Sequence, residues 1–249
     1  MTDNLGRDVV LLGGTPKDPD WLDLFDLACG IARGGARSLS IVMPYFGYAR
    51  QDRKDRPRVA VGAKLVANML TAAGADRIMT MDLHAGQIQG FFDIPVDHLE
   101  GTSVFVPYLK LQNLDNLIFA SPDVGGVARV RKFASYFDAD IVICDKHRKK
   151  ANEIASMQLI GDVEGANVVL VDDLIDTGGT ICKAAQLILD RGALSVRAIC
   201  THPVLSKNAH DIIANSVLTE LLVADTIPLR QDNPKIKVLS VAELFAKAF

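Results

Sequence analysis

Asp172, Asp173, Asp176, Thr177, Gly178, Gly179 and Thr180, within DDLIDTGGT, gather three carboxylates, two hydroxyls and two residues without a Cβ in one short stretch. VVLV at 168–171 precedes them, apolar and β-branched, as in a parallel strand buried on both faces. ICKAAQLILD follows, with apolar residues at helical spacing. The pattern predicts a strand that stops at the two acids, then a glycine turn, then a helix. Such a junction places the unbonded N–H groups and positive dipole end of a helix at the carboxyl edge of a sheet, where an anion can be held. Gly178 and Gly179 let the backbone approach a phosphate closely, and the hydroxyls of Thr177 and Thr180 can add hydrogen bonds. Asp172 and Asp173 then face neighbouring hydroxyls, as on a ribose. Taken singly, each of these residues would serve as an ordinary turn cap. The ordered string between a buried strand and a helix is what points to a sugar phosphate.

Four further groups sit where α/β proteins collect ligand loops, after core strands. In MPYFGYARQDRKDRPR, Arg50, Arg53, Lys54, Arg56 and Arg58 are interleaved with Asp52 and Asp55. His84 ends the predicted strand Arg77–Leu83. Asp123, Gly125 and Gly126 in SPDVGG open a helix from Val127 and repeat the acid–glycine–helix plan. A basic run, Lys146, His147, Arg148, Lys149 and Lys150, follows the predicted strand Ile141–Cys144. Such a run is ordinarily a solvated face, yet a mobile basic loop that closes over a polyphosphate uses the same composition.

The elements that must position these groups alternate along the chain. Strands are expected at Asp8–Leu12, Leu39–Val42, Arg77–Leu83, Leu117–Ala120, Ile141–Cys144, Val168–Val171, Val196–Thr201, Leu221–Ala224 and Lys237–Leu239. Helices are expected at Trp21–Arg33, Val61–Ala73, Thr102–Lys110, from Val127, after Thr180, at Ala209–Asn215 and at Val241–Phe249. The plan starts afresh after Glu100, which divides the chain into domains of residues 1–100 and 101–249. A net charge of −3 with interspersed signs argues against a general nucleic-acid binder. No stretch approaches the ~20 apolar residues of a membrane span, and no basic and apolar leader opens the chain. Cys29, Cys144, Cys182 and Cys200 form no CxxC pair and read as reduced thiols, three of them in or beside apolar runs, which fits the cytoplasm.

YARQDRK, DLHAGQIQGFFDIPVD, SPDVGG, DKHRKKANE and VDDLIDTGGT occur in the order and approximate spacing of the ribose-phosphate diphosphokinases (PRPP synthetases). The last string also resembles the phosphoribosyl-binding motif of type I phosphoribosyltransferases. The resemblance runs from Asp3 through nearly the whole chain. It implies an α/β fold of two similar phosphoribosyltransferase-like domains, each a largely parallel sheet flanked by helices. It also implies transfer of the diphosphoryl group of MgATP to the 1-hydroxyl of ribose 5-phosphate, giving PRPP and AMP. Carried over motif by motif, the 5-phosphate rests on Asp176, Thr177, Gly178, Gly179 and Thr180, with Asp172 and Asp173 at the ribose. Arg50, Gln51, Asp55 and Arg58 match the ATP-handling stretch, His84 and Asp123 the Mg²⁺ positions, and Lys146 and Arg148 the loop that stabilises the transferring group. No covalent nucleophile is required, because phosphoryl transfer asks mainly for positioning and charge neutralisation.

The resemblance further implies a homo-oligomer, or a hetero-oligomer with a full-length paralogue, with neither nucleic acid nor membrane as partner. Family members begin with some tens of residues that this sequence does not contain, including a segment resembling FSDGE that helps to hold adenine. The first domain is therefore expected to be incomplete at its amino end, with an uncovered edge or apolar face. Loss of base stacking worth ~1–3 kcal/mol would weaken ATP by about 5- to 150-fold. THPVLSK at 201–207 replaces a more glycine-rich stretch, and Pro57 lies earlier than the proline expected near Ala60. Two alternatives stand beside the diphosphokinase: a non-catalytic regulatory or associated subunit of a PRPP synthetase complex, and a phosphoribosyltransferase, which would account only for the second half.

Overall fold

Short β-branched runs alternating with amphipathic segments call for parallel strands joined by helices that cover the sheet. The computed structural model, which describes residues 4–147 and 156–249, contains two such sheets. One belongs to the unit Met1–Glu100 and the other to the unit Gly101–Phe249.

In the first unit, β1 (Asp8–Leu12), β2 (Ser38–Val42), β3 (Arg77–Met81) and β4 (Val96–Leu99) lie side by side in chain order, all parallel. Helices α1 (Asp18–Arg33) and α2 (Gly62–Ala72) connect the first three. Helix α1 begins earlier than its apolar periodicity indicates, because Pro19 suits a first turn and the Asp20 carboxylate accepts the Lys17 N–H at 2.8 Å. Leu39, Ile41, Ile78, Ala28, Ala67 and Leu70 form the centre of the core. Strand β4 has no counterpart in the sequence reading, since VDHL is half-buried and carries only two apolar residues. Its partner β3 recruits it through regular pairing from Ile78 opposite Val96 to Met81 opposite Leu99. Among the described residues β1 pairs with β2 alone, and its Val10 and Leu12 are 48% and 72% exposed.

The long connection after β2 is fixed at its start. Phe46 meets Trp21 edge-on, ring centroids 5.6 Å apart, and Thr15 Oγ donates to Tyr45 O at 2.6 Å while accepting the Gly47 N–H at 3.2 Å. A Cβ on Gly47 would overlap the Thr15 carbonyl. Sequence reading treats residues 43–58 as one loop; the structure divides it into a buried anchor through Ala49 and a largely exposed basic half.

The second unit holds β5 (Leu117–Ser121), β6 (Asp140–His147), β7 (Ser156–Ile160), β8 (Asn167–Ile175), β9 (Ser195–Pro203), β10 (Glu220–Ala224) and β11 (Ile236–Leu239). Their order is β11-β10-β9-β8-β5-β6-β7, parallel except for β7, which runs antiparallel to β6. The helices are α3 (Thr102–Leu111), α4 (Val127–Ser135), α5 (Gly179–Asp190), α6 (Ala209–Ala214) and α7 (Ala242–Ala248). Val168, Val169, Leu170 and Val171 are fully buried, as a central parallel strand requires. Two expectations need correction. Strand β8 does not stop at the acids but runs on to Ile175, because β9 continues beside it, with Asp172 opposite Cys200 and Ile175 opposite Pro203. Strand β7 was not expected, since its five residues SMQLI carry too little pattern to stand out.

Candidate active site

Strand order in the second sheet reverses between β5 and β8: one flank runs β8, β9, β10, β11 and the other β5, β6, β7. A crevice opens at the carboxyl ends of the strands at such a switch point, and ligands of open α/β sheets bind there. Pairing of β8 with β5 reaches Leu170, whereas pairing with β9 continues to Ile175. The acids therefore occupy the part of β8 that has left β5 while β9 still supports it. Across the crevice, β5 ends at Ser121, and the turn SPDVGG leads into α4. There the Gly126 N–H donates to Asp123 Oδ1 at 3.0 Å, and a Cβ on Gly126 would press on Ser121 Oγ at 2.7 Å. Compactness at that position requires glycine, and Asp123 is exposed beside it.

Arg129, in the first turn of α4, reaches both acids: its Nη1 lies 3.0 Å from Asp173 Oδ1 and 3.7 Å from Asp172 Oδ1. Burial first, and the neighbouring Asp173 second, push the Asp172 carboxyl far above the ordinary carboxylate range, to about 8, against the pull of Arg129. Sequence reading did not single out Arg129. The available signal was a cation in the first turn of a helix, where the dipole disfavours positive charge unless an acid partner lies close.

The glycine turn behaves as its residue types require. Gly178, at φ 76°, occupies the left-handed region as the residue before α5, and the first amide to bond within the helix is Cys182 N–H, to Gly178 O at 3.1 Å. Amides ahead of that bond point out of the helix end, the arrangement that holds phosphate. A Cβ on Gly179 would meet nothing within 4 Å, so space is open on that side. Asp176, Thr177, Gly178, Gly179 and Thr180 thus lie together at the crevice with Asp172 and Asp173.

In the first unit, Arg50, Gln51, Asp55 and His84 line one concave pocket of about 470 Å³, with Asp52, Arg53 and Arg56 also on its wall. Four of its lining residues are cationic or imidazole groups, and two aspartates temper the charge. Arg58 belongs to the same segment, with a φ of 65°, but does not line the pocket. Gln51 is set by two backbone bonds, its N–H to Tyr48 O at 2.9 Å and its O from Ala63 N–H at 3.2 Å. His84 and Asp123, paired by the resemblance as metal positions, fall in different units. Lys146 lies on β6, the neighbour of β5, while Arg148 lies outside the described residues. Of the four free cysteines, Cys144 and Cys200 are buried, Cys182 is half-buried and Cys29 is exposed on α1.

Known proteins of like sequence agree on one family. Residues 3–74 match the model for the N-terminal domain of ribose phosphate pyrophosphokinase, and residues 138–249 match the phosphoribosyl synthetase-associated domain. A ribose-phosphate pyrophosphokinase of Campylobacter jejuni is 54% identical over 244 residues, 97% of this chain and 79% of that protein. One from Porphyromonas gingivalis is 51% identical over 245 residues, 98% of this chain and 78% of that protein. The crystal structure of phosphoribosylpyrophosphate synthetase from Mycobacterium smegmatis superposes with a TM-score of 0.94 at 36% identity, covering 99% of this chain and 82% of that one. With that identity sustained across both units, the chain belongs to the ribose-phosphate pyrophosphokinase family.

Proposed function

We propose that this chain transfers the diphosphoryl group of MgATP to the 1-hydroxyl of ribose 5-phosphate, releasing AMP and forming PRPP. The observation that supports the reading is the switch-point crevice of the second unit, where the glycine turn at the start of α5, the acids Asp172 and Asp173, and Arg129 converge. The 5-phosphate rests on residues 176–180 and the ribose hydroxyls face Asp172 and Asp173, which fixes the sugar for in-line attack. Arg50, Gln51 and Asp55 handle the nucleotide in the first unit, and Lys146 and Arg148 place positive charge on the group in flight.

Among the described residues no three His, Cys, Asp or Glu side chains converge into a metal cage. Mg²⁺ would enter with ATP, keeping phosphate and water ligands and taking few protein donors; the residues that would meet it are His84 in the first unit and Asp123 in the second. Such an ion would supply neutralisation of charge on the phosphate oxygens. Assembly into a homo-oligomer, or a hetero-oligomer with a paralogue, belongs to the same proposal. So does a cytoplasmic setting, supported by free thiols and by the lack, among the described residues, of a helix long and apolar enough to cross a membrane.

The test is AMP formation by the purified chain with MgATP and ribose 5-phosphate, at ATP concentrations well above cellular levels. Sugar-dependent AMP with matching PRPP is the expected result. A folded chain that binds ribose 5-phosphate yet makes no AMP would favour the regulatory-subunit alternative instead.

Gly62→Ala probes the nucleotide side. A Cβ there would overlap Gln51 Oε1 and touch the Tyr48 ring at 3.0 Å. The amide end of Gln51 is flexible, so the fold should tolerate the change while the pocket wall shifts. The KM for ATP should rise about 5-fold, roughly 1 kcal/mol, with the KM for ribose 5-phosphate unchanged. An equal rise in both would show that the damage is not confined to the pocket.

A further inference from the structure

Beside β8, strand β9 ends at Pro203, and the turn that follows reaches back to the phosphate loop. Within it the Ser206 N–H donates to Asp176 O at 2.8 Å, the Ser206 hydroxyl donates to Asp176 Oδ1, and the Leu205 N–H donates to Ile175 O at 3.0 Å. Leu205 and Lys207 flank Ser206 with φ of 43° and 55°, left-handed values that side chains other than glycine seldom adopt. Leu205 is 2% exposed, so its side chain ties the turn into the core. Helix α6 starts directly afterwards, its Ala209 N–H bonding Ser206 O at 3.1 Å, and Ala209 O, Ile212 and Ile213 lie 3.5–3.7 Å from the position a Cβ would take on Gly178. One turn and its helix therefore hold both the acid and the left-handed glycine of the loop.

We propose that Ser206 is a positioning residue for ribose 5-phosphate, acting through Asp176. A hydroxyl donating to one carboxylate oxygen fixes the plane of that group, and the accompanying backbone bond fixes the peptide that leads into the glycine turn. Sugar phosphate then meets a loop already in its bound shape, and the cost of ordering it on binding is avoided. Strained backbone on either side of Ser206 is the kind of local cost that persists at functional sites. The inference rests on residues 176–180 holding the 5-phosphate.

Calorimetric titration of ribose 5-phosphate into the whole chain, paired with steady-state kinetics, tests it. Ser206→Ala should weaken ribose 5-phosphate about tenfold, the loss of one hydrogen bond to a carboxylate, and leave the KM for ATP unchanged. In an Asp176→Asn background, where the hydroxyl meets a neutral amide oxygen, the same substitution should cause a smaller loss. Ser206→Thr, which keeps the hydroxyl, should bind like the parent chain, whereas Ser206→Cys should be weakened, and that pair decides the matter if the alanine variant does not fold. Unaltered sugar-phosphate binding by Ser206→Ala, equal binding by Thr and Cys variants, or an undiminished loss in the Asp176→Asn background would each overturn the inference while leaving the loop assignment standing. A parent chain that fails to bind ribose 5-phosphate would remove the assignment itself and this inference with it.

Discussion

Arg129→Ala should lower both the melting temperature and ribose 5-phosphate-dependent AMP formation, the latter by at least ~100-fold. The Arg129 side chain is 20% exposed and that of Asp173 only 5%, so the pair lies mostly out of water. Breaking a buried pair by removing one partner costs about 3–5 kcal/mol, because the remaining charge is left uncompensated. The lower end applies here, since the Arg129 side chain keeps one-fifth of its surface in water, which tempers the charge left behind. For a unit of this size the melting temperature should fall by on the order of 10 °C. Arg129→Lys should recover part of the stability and little of the activity, because a compact ammonium cannot span two carboxylates as the planar fork does. Calorimetry and an AMP assay on the two variants check this. Unchanged melting and turnover in Arg129→Ala would mean that the cation does not govern the acid pair.

Asp172→Asn should do the opposite to stability and a similar thing to activity. In the folded chain burial and Asp173 hold the Asp172 proton until about pH 8, whereas the unfolded chain releases it near the ordinary value of 3.8. Across that window the folded state carries the extra proton, so stability falls as pH rises from about 4 towards 8. An amide cannot ionise, and the variant should lose this part of the slope and melt higher than the parent at the alkaline end, by a few degrees in order of magnitude. Turnover should drop ~100-fold or more, because a bound cation and sugar displace the proton that the empty site retains, and an amide cannot supply the carboxylate they then face. Melting curves across roughly pH 5–9, with AMP assays alongside, separate the two effects. A parallel pH profile in parent and variant would show that Asp172 titrates normally in the folded chain.

These two predictions turn on residues that differ in how far sequence alone reveals them. Asp172 is legible because the DDLIDTGGT string is local: its acids, glycines and hydroxyls do their work within nine residues. The α/β class and most element positions are legible for the same reason, through runs such as VVLV and the periodicity of AKLVANMLTAA. Arg129 and Ser206 are different. Each acts on residues that strand order, not chain order, brings close, and the reversal between β5 and β8 cannot be read from spacing. The extension of β8 to Ile175 has the same origin, since β9 rather than local propensity keeps the acids in a strand. Sequence reading likewise treats Arg50 and Phe46 as parts of one loop, whereas packing against Trp21 makes Phe46 a buried anchor and leaves Arg50 on the pocket wall.

The junction between β5 and β8 also bears on how the second unit forms. Leu117 pairs with Asn167 and Ala120 with Leu170, so this contact must close a loop of roughly 50 residues before it returns any favourable energy. The β8–β9 pairing closes a shorter connection, through α5, and can form on more local contacts. On loop-closure cost alone, the acids and the glycine turn belong with the cheaper β8–β9 pairing, and the far wall of the crevice, carrying Asp123 and Arg129, with the costlier one. A ligand that bridges the two walls would slow the reopening of that seam more than the escape of any other part of the fold.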